Sequence, residues 1–337
     1  MFYVLCFICS LLLTFGLLKY AKIKNVIDIP NERSSHTVPT PRGGGLSIVI
    51  TFIIAISLFL YFEKIDVVLG CAILLSSSVV ALIGFIDDHG HIHAKWRLLV
   101  HFLSALGLVL VLGGLPMINI FGITIDFSYV GIALAVIAMI WILNLFNFMD
   151  GIDGIAGVEA VFVTFFAGLF LYLVLPESPI VELLWFLSAA CVGFLVLNFP
   201  PAKIFMGDAG SGFLGFILAA LALTSSHEVK EMLWVWLVLL GVFIVDATFT
   251  VIRRFINKEK VHEAHRSHAY QYASRIHKSH LKVTLGVVFI NLCWLAPIAY
   301  LISQQYVDGF VGLCLAYLPL ILLAIHYKAG QKEIIAS

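Results

Sequence analysis

The sequence predicts an all-α polytopic membrane protein with about eleven transmembrane helices, and three observations support this fold class. Of the 337 residues, 61% are hydrophobic and only 12% are charged, whereas about a quarter of the residues of a soluble domain are charged. Apolar runs approaching the length of a transmembrane helix, about 20 residues, recur along the whole chain. Lysine and arginine are concentrated in alternate connections between these runs. We therefore expect one integral-membrane domain over residues 1–337. A net charge of zero gives no indication of a nucleic-acid partner.

Each apolar run predicts one span. The spans lie near residues 1–20, 44–62, 67–86, 98–114, 129–146, 158–175, 183–199, 211–226, 231–252, 283–303 and 309–326. The connection PMINIFGITIDFSY, between the fourth and fifth spans, alternates around Gly122 and predicts a small β-hairpin.

The distribution of positive charge predicts the orientation. Eighteen of the 20 lysines and arginines lie in or beside one set of alternate connections, and only Lys64 and Lys230 lie in the other set. Cytoplasmic loops carry the excess of these residues. We therefore expect the N-terminus outside, the C-terminus in the cytoplasm and the hairpin on the outer face.

Five polar segments fall on the predicted cytoplasmic side, each beside a span. They are VPTPRGGG (38–45), FIDDHGHIHAKWR (85–97), NLFNFMDGIDG (144–154), NFPPAKIFMGDAGSG (198–212) and VHEAHRSHAYQYASR (261–275). Because all five border the same membrane face, they can meet in one site.

Carboxylates are prominent in three of these segments. The candidates are Asp87, Asp88, Asp150, Asp153 and Asp208. Crowded carboxylates repel one another unless a cation lies among them. Mg²⁺ or Mn²⁺ suits such oxygen ligands, and Mg²⁺ is usually shared between one or two carboxylates and substrate phosphates. The set therefore indicates diphosphate chemistry on a lipid at the membrane surface.

Basic side chains in the polar segments of the predicted cytoplasmic face can bind phosphate oxygens. The candidates are Arg42, Lys95, His265, Arg266 and His268. A zinc site formed by His262, His265 and His268 is the alternative for the last segment. Phosphate contact is favoured there, because no cysteine lies nearby.

Some of the acids have simpler interpretations. Asp150 and Asp153 could be N-cap residues of the sixth span, because aspartate before a helix accepts its free N–H groups, although an acid at membrane depth is functional by default. Asp246, inside the ninth span, could line the same cavity or pair with Arg253 or Arg254. The sequence leaves these two interpretations of Asp246 open.

The motifs also carry a resemblance to a known family. NLFNFMDGIDGIAG resembles the NxxNxxDGxDGLA motif of the polyprenyl-phosphate N-acetylhexosamine-1-phosphate transferases, a superfamily in glycosyltransferase family 4. NFPPAKIFMGDAGSGFLG resembles their NxxPxxxFxGDxGS motif, and FIDDHGHIHAKWR resembles their DD-containing loop. Span count and orientation fit the branch that initiates O-antigen synthesis. Many members carry an HxHH-type cluster where this chain reads HRSHAYQ, a form that resembles a subgroup using 6-deoxy-N-acetylhexosamine nucleotides.

The resemblance implies a reaction. A UDP-N-acetylhexosamine donor meets undecaprenyl phosphate at the cytoplasmic face of a bacterial inner membrane, with Mg²⁺ as cofactor and Mn²⁺ as an alternative. The lipid phosphate attacks the β-phosphorus, which yields polyprenyl-diphospho-sugar and UMP. The donor sugar, the glycan pathway and the oligomeric state stay open, with a homodimer as one option.

The resemblance also implies roles for individual residues. Metal ligands are expected at Asn147 and Asp208, and the catalytic acids at Asp87, Asp88, Asp150 and Asp208. Substrate contacts are expected at Asn144, Asp153, Asn198, Phe205, Arg42, Lys95, His265, Arg266 and His268. Among these, Phe205 is expected to stack on the uracil, and the HRSH residues are expected to contact the donor diphosphate.

Two other functions fit part of the pattern. An intramembrane prenyltransferase also uses aspartate-rich loops and Mg²⁺, but it would leave GDAGSG and HRSH unexplained. A secondary transporter usually has related halves and acids near the bilayer midplane, whereas the acids here cluster at one face.

Overall fold

The computed structural model of the chain describes residues 1–30, 35–90, 92–259 and 265–331, and it is a helical membrane protein. The helices are α1 (Phe2–Ile23), α2 (Leu46–Tyr61), α3 (Val67–His89), α4 (Ala94–Leu112), α5 (Ser128–Met149), α6 (Ile155–Val174), α7 (Pro179–Asn198), α8 (Asp208–Glu228), α9 (Met232–Leu239), α10 (Gly241–Ile256), α11 (Ala269–His277), α12 (His280–Ile290), α13 (Ala296–Ser303) and α14 (Gly309–His326). A π-helical turn, Asn291–Leu295, joins α12 to α13.

Every predicted span corresponds to one helix or to a pair of helices. Within the described residues, nine helical segments are long and apolar enough to cross a membrane, with α12, the π-helical turn and α13 forming one of them. The shorter α2 is also apolar. The ninth predicted span is broken, because α9 and α10 meet at an angle of 69°. The predicted all-α polytopic fold is therefore confirmed. The described residues give nine spans by length and composition, or ten if the bent pair is one span, and the apolar run did not reveal the bend.

Helix α8 lies at the centre of the bundle and packs against α3 and α5. Glycines allow these helices to approach closely, as small residues do in membrane helix pairs. A Cβ added at Gly84 of α3 would lie 2.5 Å from the carbonyl oxygen of Asp208, and one at Gly215 of α8 would lie 2.6 Å from Cα of Leu143 in α5. The close packing brings the polar ends of three helices together.

Two short antiparallel strand pairs complete the fold. The predicted hairpin is confirmed, with β3 (Ile118–Ile120) paired to β4 (Ile123–Ile125). A second pair, β1 (Ile27–Asp28) with β2 (Thr40–Pro41), was not predicted, because two-residue strands leave no periodic pattern. It leads into the segment 42–45, whose backbone pairs with the backbone at 205–206.

The orientation can be tested with reporter fusions. We expect green fluorescent protein fused after residue 337 to fluoresce, because 18 of the 20 lysines and arginines predict a cytoplasmic C-terminus. The matched control is a fusion truncated after Ser178, in the connection between α6 and α7, where alkaline phosphatase should be active instead. A C-terminal fusion that is active only outside the cytoplasm would overturn the predicted topology.

Candidate active site

A cavity of about 210 Å³ opens where the polar ends of the helices converge. Eight of the predicted residues line it: Arg42, Asp88, Asn147, Asp150, Asp153, Asn198, Phe205 and Asp208. A larger opening of about 640 Å³ shares Asp153 and Phe205 with it. These eight side chains come from four of the five polar segments, which therefore meet in one cavity.

Asp88 fixes the start of α8. Its carboxylate oxygens accept the backbone N–H groups of Asp208, at 3.0 Å, and Ala209, at 3.1 Å. Carboxylates are stabilised at the N-terminal end of a helix, where such N–H groups are free. Arg42 donates to the carbonyl oxygen of Asp88 at 2.8 Å. Gly207 has φ of +80°, and a Cβ there would lie 2.7 Å from the Asp88 carboxylate, so the glycine of GDAGSG is required by this contact.

Arg97, which was not predicted, joins two of the predicted acids. Its guanidinium forms an ion pair with Asp87 and a second with Asp208, at 3.1 Å. Asp87 also accepts the Ile92 N–H at 2.8 Å. The planar guanidinium presents several donors at fixed angles and can contact two carboxylates at once. Arg97 lies in FIDDHGHIHAKWR, a segment that was predicted to contribute to the site. From this segment the prediction named Lys95 as the basic side chain and did not name Arg97.

Two residues predicted to contact the substrate, Lys95 and Asn144, lie outside the cavity lining. Lys95 is exposed, with its ammonium 5.6 Å from the ring of Trp96, and it is not among the residues that line the cavity. Residues two positions apart on a helix face different directions, which is why Arg97 reaches the acids and Lys95 does not. Asn144 donates its amide to the carbonyl oxygen of Ile140, one turn earlier in α5, at 2.7 Å, and it also lies outside the cavity lining.

Among the acids of the cavity, Asp150 has the fewest neighbouring groups that stabilise a negative charge on its carboxyl. Burial and the nearby carboxylates of Asp208, Asp88 and Asp153 raise the pKa of its carboxyl well above the usual value. In the described part of the chain, no hydrogen bond or ion pair stabilises this carboxyl. Helix α6 begins after Gly154 without a side-chain cap, so the N-cap interpretation of the DGIDG aspartates is wrong. The carboxylate is positioned to receive a cation.

The donor set of the cavity fits a hard divalent cation. Asn147, Asp150 and Asp208 all line it, and amide and carboxylate oxygens are the ligands that Mg²⁺ and Mn²⁺ prefer. Within the described ranges, no group of three or more acidic, histidine or cysteine side chains is arranged to hold a metal ion by itself. An incomplete protein shell is what Mg²⁺ has when substrate phosphates supply the remaining ligands.

A second group of side chains surrounds Asp153. Its carboxylate accepts the backbone N–H of Ala202 at 3.0 Å and lies 3.0 Å from Nδ1 of His280. Burial alone would raise the pKa of the Asp153 carboxyl, but the hydrogen bonds from His280 and Ala202 lower it below the usual value. His280 lies beyond the motifs that carry the family resemblance, and no local pattern distinguished it.

Phe205 and Asn198 lie beside this group. The Phe205 ring meets the ring of His36 edge-on, with centroids 4.9 Å apart. Asn198 donates to the carbonyl oxygen of Ile204 at 2.9 Å, and its own side-chain oxygen is buried without a partner among the described residues. A partly exposed aromatic ring, a carboxylate and an unpaired amide oxygen form a surface suited to a flat heterocycle.

The HRSH residues flank the cavity but do not line it. His268 is buried, with Nδ1 3.3 Å from Asp246, and the ring of His265 stacks on it at 4.9 Å. Burial, together with His268 and Arg254, lowers the pKa of His265 to about 3, so this imidazole is neutral near pH 7. None of His265, Arg266 and His268 lines the cavity, and their direct contact with the donor stays a prediction.

Two further residues bear on this segment. Gln271, one turn into α11, does line the cavity and was not predicted. The zinc alternative needs His262, which lies outside the described residues.

Comparison with known proteins supports the interpretation of these motifs. Residues 70–226 match the family model described as "Glycosyl transferase family 4", a range that contains Asp87, Asp150 and Asp208. A relative from Bacillus subtilis strain 168, "Probable undecaprenyl-phosphate N-acetylglucosaminyl 1-phosphate transferase", is 29% identical over 86% of this chain and 82% of its own length.

Two other relatives match over smaller shares of the chain. The "Decaprenyl-phosphate N-acetylglucosaminephosphotransferase" of Mycobacterium leprae is 26% identical over 80% of this chain and 74% of the relative. The "Phospho-N-acetylmuramoyl-pentapeptide-transferase" of Wolbachia pipientis wMel is 32% identical over 63% of this chain and 66% of the relative. The chain belongs to the polyprenyl-phosphate hexosamine-1-phosphate transferase superfamily and is a phosphoglycosyl transferase.

Proposed function

We propose that the protein transfers an N-acetylated hexosamine-1-phosphate from a UDP-sugar to undecaprenyl phosphate, and that this step initiates a lipid-linked cell-envelope glycan such as O-antigen. The observation that carries the proposal is the cavity itself, where the uncompensated Asp150 carboxylate faces the same space as Asn147 and Asp208. Such a site suits a cation and a diphosphate at the membrane surface. The active site is expected at the cytoplasmic face of a bacterial inner membrane.

The reaction exchanges one phosphorus–oxygen bond for another. An oxygen of the lipid phosphate forms a bond to the β-phosphorus of the donor, and the bond from that phosphorus to the bridging oxygen breaks. The bridging oxygen and its electron pair leave with UMP. A phosphate monoester is already largely ionised near neutral pH, so Asp87 and Asp88 need not remove a proton, and we assign them to positioning and electrostatics.

The chain's own residues place the reacting groups. Asp88 holds the first turn of α8 and so fixes Asp208, while Arg97 holds Asp87 and Asp208 together. A divalent cation bound by Asn147, Asp150 and Asp208 would supply charge neutralisation of the diphosphate. We propose that Arg266 approaches the diphosphate when the donor is bound, where a guanidinium makes charge-assisted contacts with phosphate oxygens.

Turnover should require a divalent cation. We expect activity to be lost in excess chelator and restored by Mg²⁺ or Mn²⁺, because the acids of the cavity would otherwise repel the donor. The assay compares UMP formation in chelated membranes before and after metal is added back, with Ca²⁺ as a comparison ion. Full turnover in excess chelator would contradict the metal assignment.

Phe205→Ala should weaken donor binding. Stacking on a base contributes about 1–3 kcal/mol, and it holds the ground and transition states alike. We therefore expect KM for the UDP-sugar to rise by roughly tenfold or more, with a smaller change in kcat. Phe199→Ala is the matched control, because Phe199 is an exposed phenylalanine in the same segment that does not line the cavity. A large loss of kcat with unchanged KM would contradict the assignment of Phe205 to stacking on the uracil.

A donor screen tests the proposed substrate. Purified protein and undecaprenyl phosphate are incubated with UDP-GlcNAc, UDP-GalNAc, UDP-FucNAc or UDP-QuiNAc, and UMP and lipid-linked sugar are measured. We expect turnover with at least one of these donors, and the HRSHAYQ form favours the 6-deoxy sugars UDP-FucNAc and UDP-QuiNAc. Equal turnover with UDP-glucose would contradict selection of an N-acetylated sugar.

A further inference from the structure

Asp246 is a buried acid that the proposed chemistry does not use. It lies on α10, the second half of the bent span, and only 6% of its surface is exposed. Arg253 donates to the carbonyl oxygen of Ala329, and Arg254 pairs with Glu259. Asp246 is also absent from the residues that line the catalytic cavity. Neither interpretation offered by the sequence describes its position, and its carboxylate is directed at the start of α11.

The Asp246 carboxylate caps α11 from a different helix. It accepts the backbone N–H of Ala269 at 2.9 Å and that of Tyr270 at 3.0 Å, and it lies 3.3 Å from Nδ1 of His268. Thr250, one turn along α10, donates its hydroxyl to the same carboxylate at 3.2 Å. Free N–H groups at a helix start are usually satisfied by the residue just before the helix. Here the first two are satisfied by a carboxylate more than 20 residues earlier in the chain.

Helix α11 connects this cap to the catalytic turn. The Tyr270 hydroxyl donates to the carbonyl oxygen of Phe148 at 2.8 Å, in the last turn of α5. A Cβ added at Gly151 would lie 2.1 Å from that hydroxyl, so α11 is packed directly on the DGIDG turn. Gln271, the next residue, lines the cavity, and its side-chain oxygen accepts the His268 N–H at 3.3 Å.

We propose that Asp246 is a positioning residue for donor binding. By capping α11 it holds Gln271 against the cavity and fixes the donor loop, defined here as residues 265–268, beside it. The inference rests on the proposed function, because it assigns α11 and the donor loop to the UDP-sugar side of the site. It adds a role for the bent span, in which α10 carries the acid that orients a segment of the cytoplasmic face.

Asp246→Asn tests the proposal against a matched control. Asparagine keeps one acceptor oxygen but replaces the other with a donor, so one backbone N–H of α11 loses its partner. We expect KM for the UDP-sugar to rise severalfold and kcat to fall by about tenfold or more. Asp308→Asn is the control, because the Asp308 carboxylate also accepts two backbone N–H groups at a helix start, those of Phe310 and Val311 in α14, but as the N-cap residue of that helix and in a predicted outer connection. It should lower Tm comparably and leave both kinetic constants within about twofold of wild type.

A second variant perturbs the cap without changing Asp246. Ala269→Pro removes a single N–H donor at the first position of α11, where proline is tolerated. His268 already has φ of −72° and ψ of +151°, which is the conformation required before proline. We expect the same direction of change in KM and kcat, to a smaller extent. If Asp246→Asn does not fold, the proposal is tested by the KM and kcat of Ala269→Pro instead.

The outcomes separate the inference from the proposed function. Failure of the wild-type protein to form UMP and lipid-linked sugar would refute the proposed function. If the wild type is active, a rise in donor KM confined to Asp246→Asn and Ala269→Pro supports the positioning role. Wild-type kinetics in folded Ala269→Pro and Asp246→Asn, or an equal kinetic defect in Asp308→Asn, would overturn it. Combining Asp246→Asn with Gln271→Ala should give less than the product of the two effects, because both act through α11.

Discussion

Asp208→Asn should lower turnover by about a thousandfold while the protein still inserts and folds. Asp208 is the first residue of the fully buried helix α8, lines the cavity and pairs with Arg97. Loss of a charged ligand from a metal that stabilises a transferring phosphoryl group can cost several kcal/mol, and each 1.36 kcal/mol is about a factor of ten in rate. The backbone N–H of residue 208 still reaches Asp88, so the helix start should be retained.

The measurement is UMP formation in membranes with matched protein content, over a range of Mg²⁺ concentrations. Asp66→Asn is the control, because Asp66, in a connection predicted to be on the outer face, caps α3 by accepting the Leu69 N–H at 2.9 Å. It should retain wild-type turnover. Near-normal turnover of Asp208→Asn at saturating Mg²⁺ would remove Asp208 from the metal site.

Arg97→Ala should cause the second-largest loss, about a hundredfold. Removing one partner of a partly buried ion pair leaves the other charges uncompensated, and here it affects both Asp87 and Asp208. Arg97→Lys should be intermediate, because lysine keeps the charge but cannot contact both carboxylates in the same planar arrangement.

Lys95→Ala is the matched control for Arg97, since it removes another positive charge two residues earlier on α4. The exposed Lys95 side chain lies beside Trp96, so turnover should stay within about twofold of wild type. Turnover and donor KM are measured for all three variants in the same membranes. Wild-type turnover of Arg97→Ala together with a defect in Lys95→Ala would contradict the role of Arg97 and support the prediction from the sequence that Lys95 contacts the substrate.

The sequence predicted the helices well because one physical effect, the transfer of apolar side chains into hydrocarbon, largely determines where a chain spans a membrane. Hydropathy does not report local backbone geometry. The bend between Leu239 and Gly241 lies inside an uninterrupted apolar run, so the apolar pattern could not reveal it. The pair of β1 and β2 was missed for a related reason, since its register depends on contacts with distant parts of the chain.

The sequence identified the segments that line the cavity, but only some of the individual side chains. Four of the polar segments contribute predicted residues to one cavity, including Asp150, Asp153 and Asp208, and the fifth contributes Gln271 instead of its histidines. The sequence could not show which face of α4 turns inward, and the prediction named Lys95 and not Arg97.

Contacts between distant parts of the chain were also beyond the sequence. His280 pairs with Asp153 across 127 positions, and Asp246 caps a helix that begins 23 positions later. Spacing within a motif carries no information on such pairs, because they are set by how the helices pack.

One labelling experiment tests the central claim, that the phosphorus of the donor moves together with the sugar. A UDP-sugar carrying ³²P at the β-phosphorus is incubated with purified protein, undecaprenyl phosphate and Mg²⁺, and the products are separated into lipid and aqueous fractions. We predict that the label appears in a lipid-linked sugar diphosphate and that unlabelled UMP is released in equal amount, with Asp208→Asn as the blank. Release of labelled UDP with sugar on the lipid, or retention of all the label in the donor, would contradict the account.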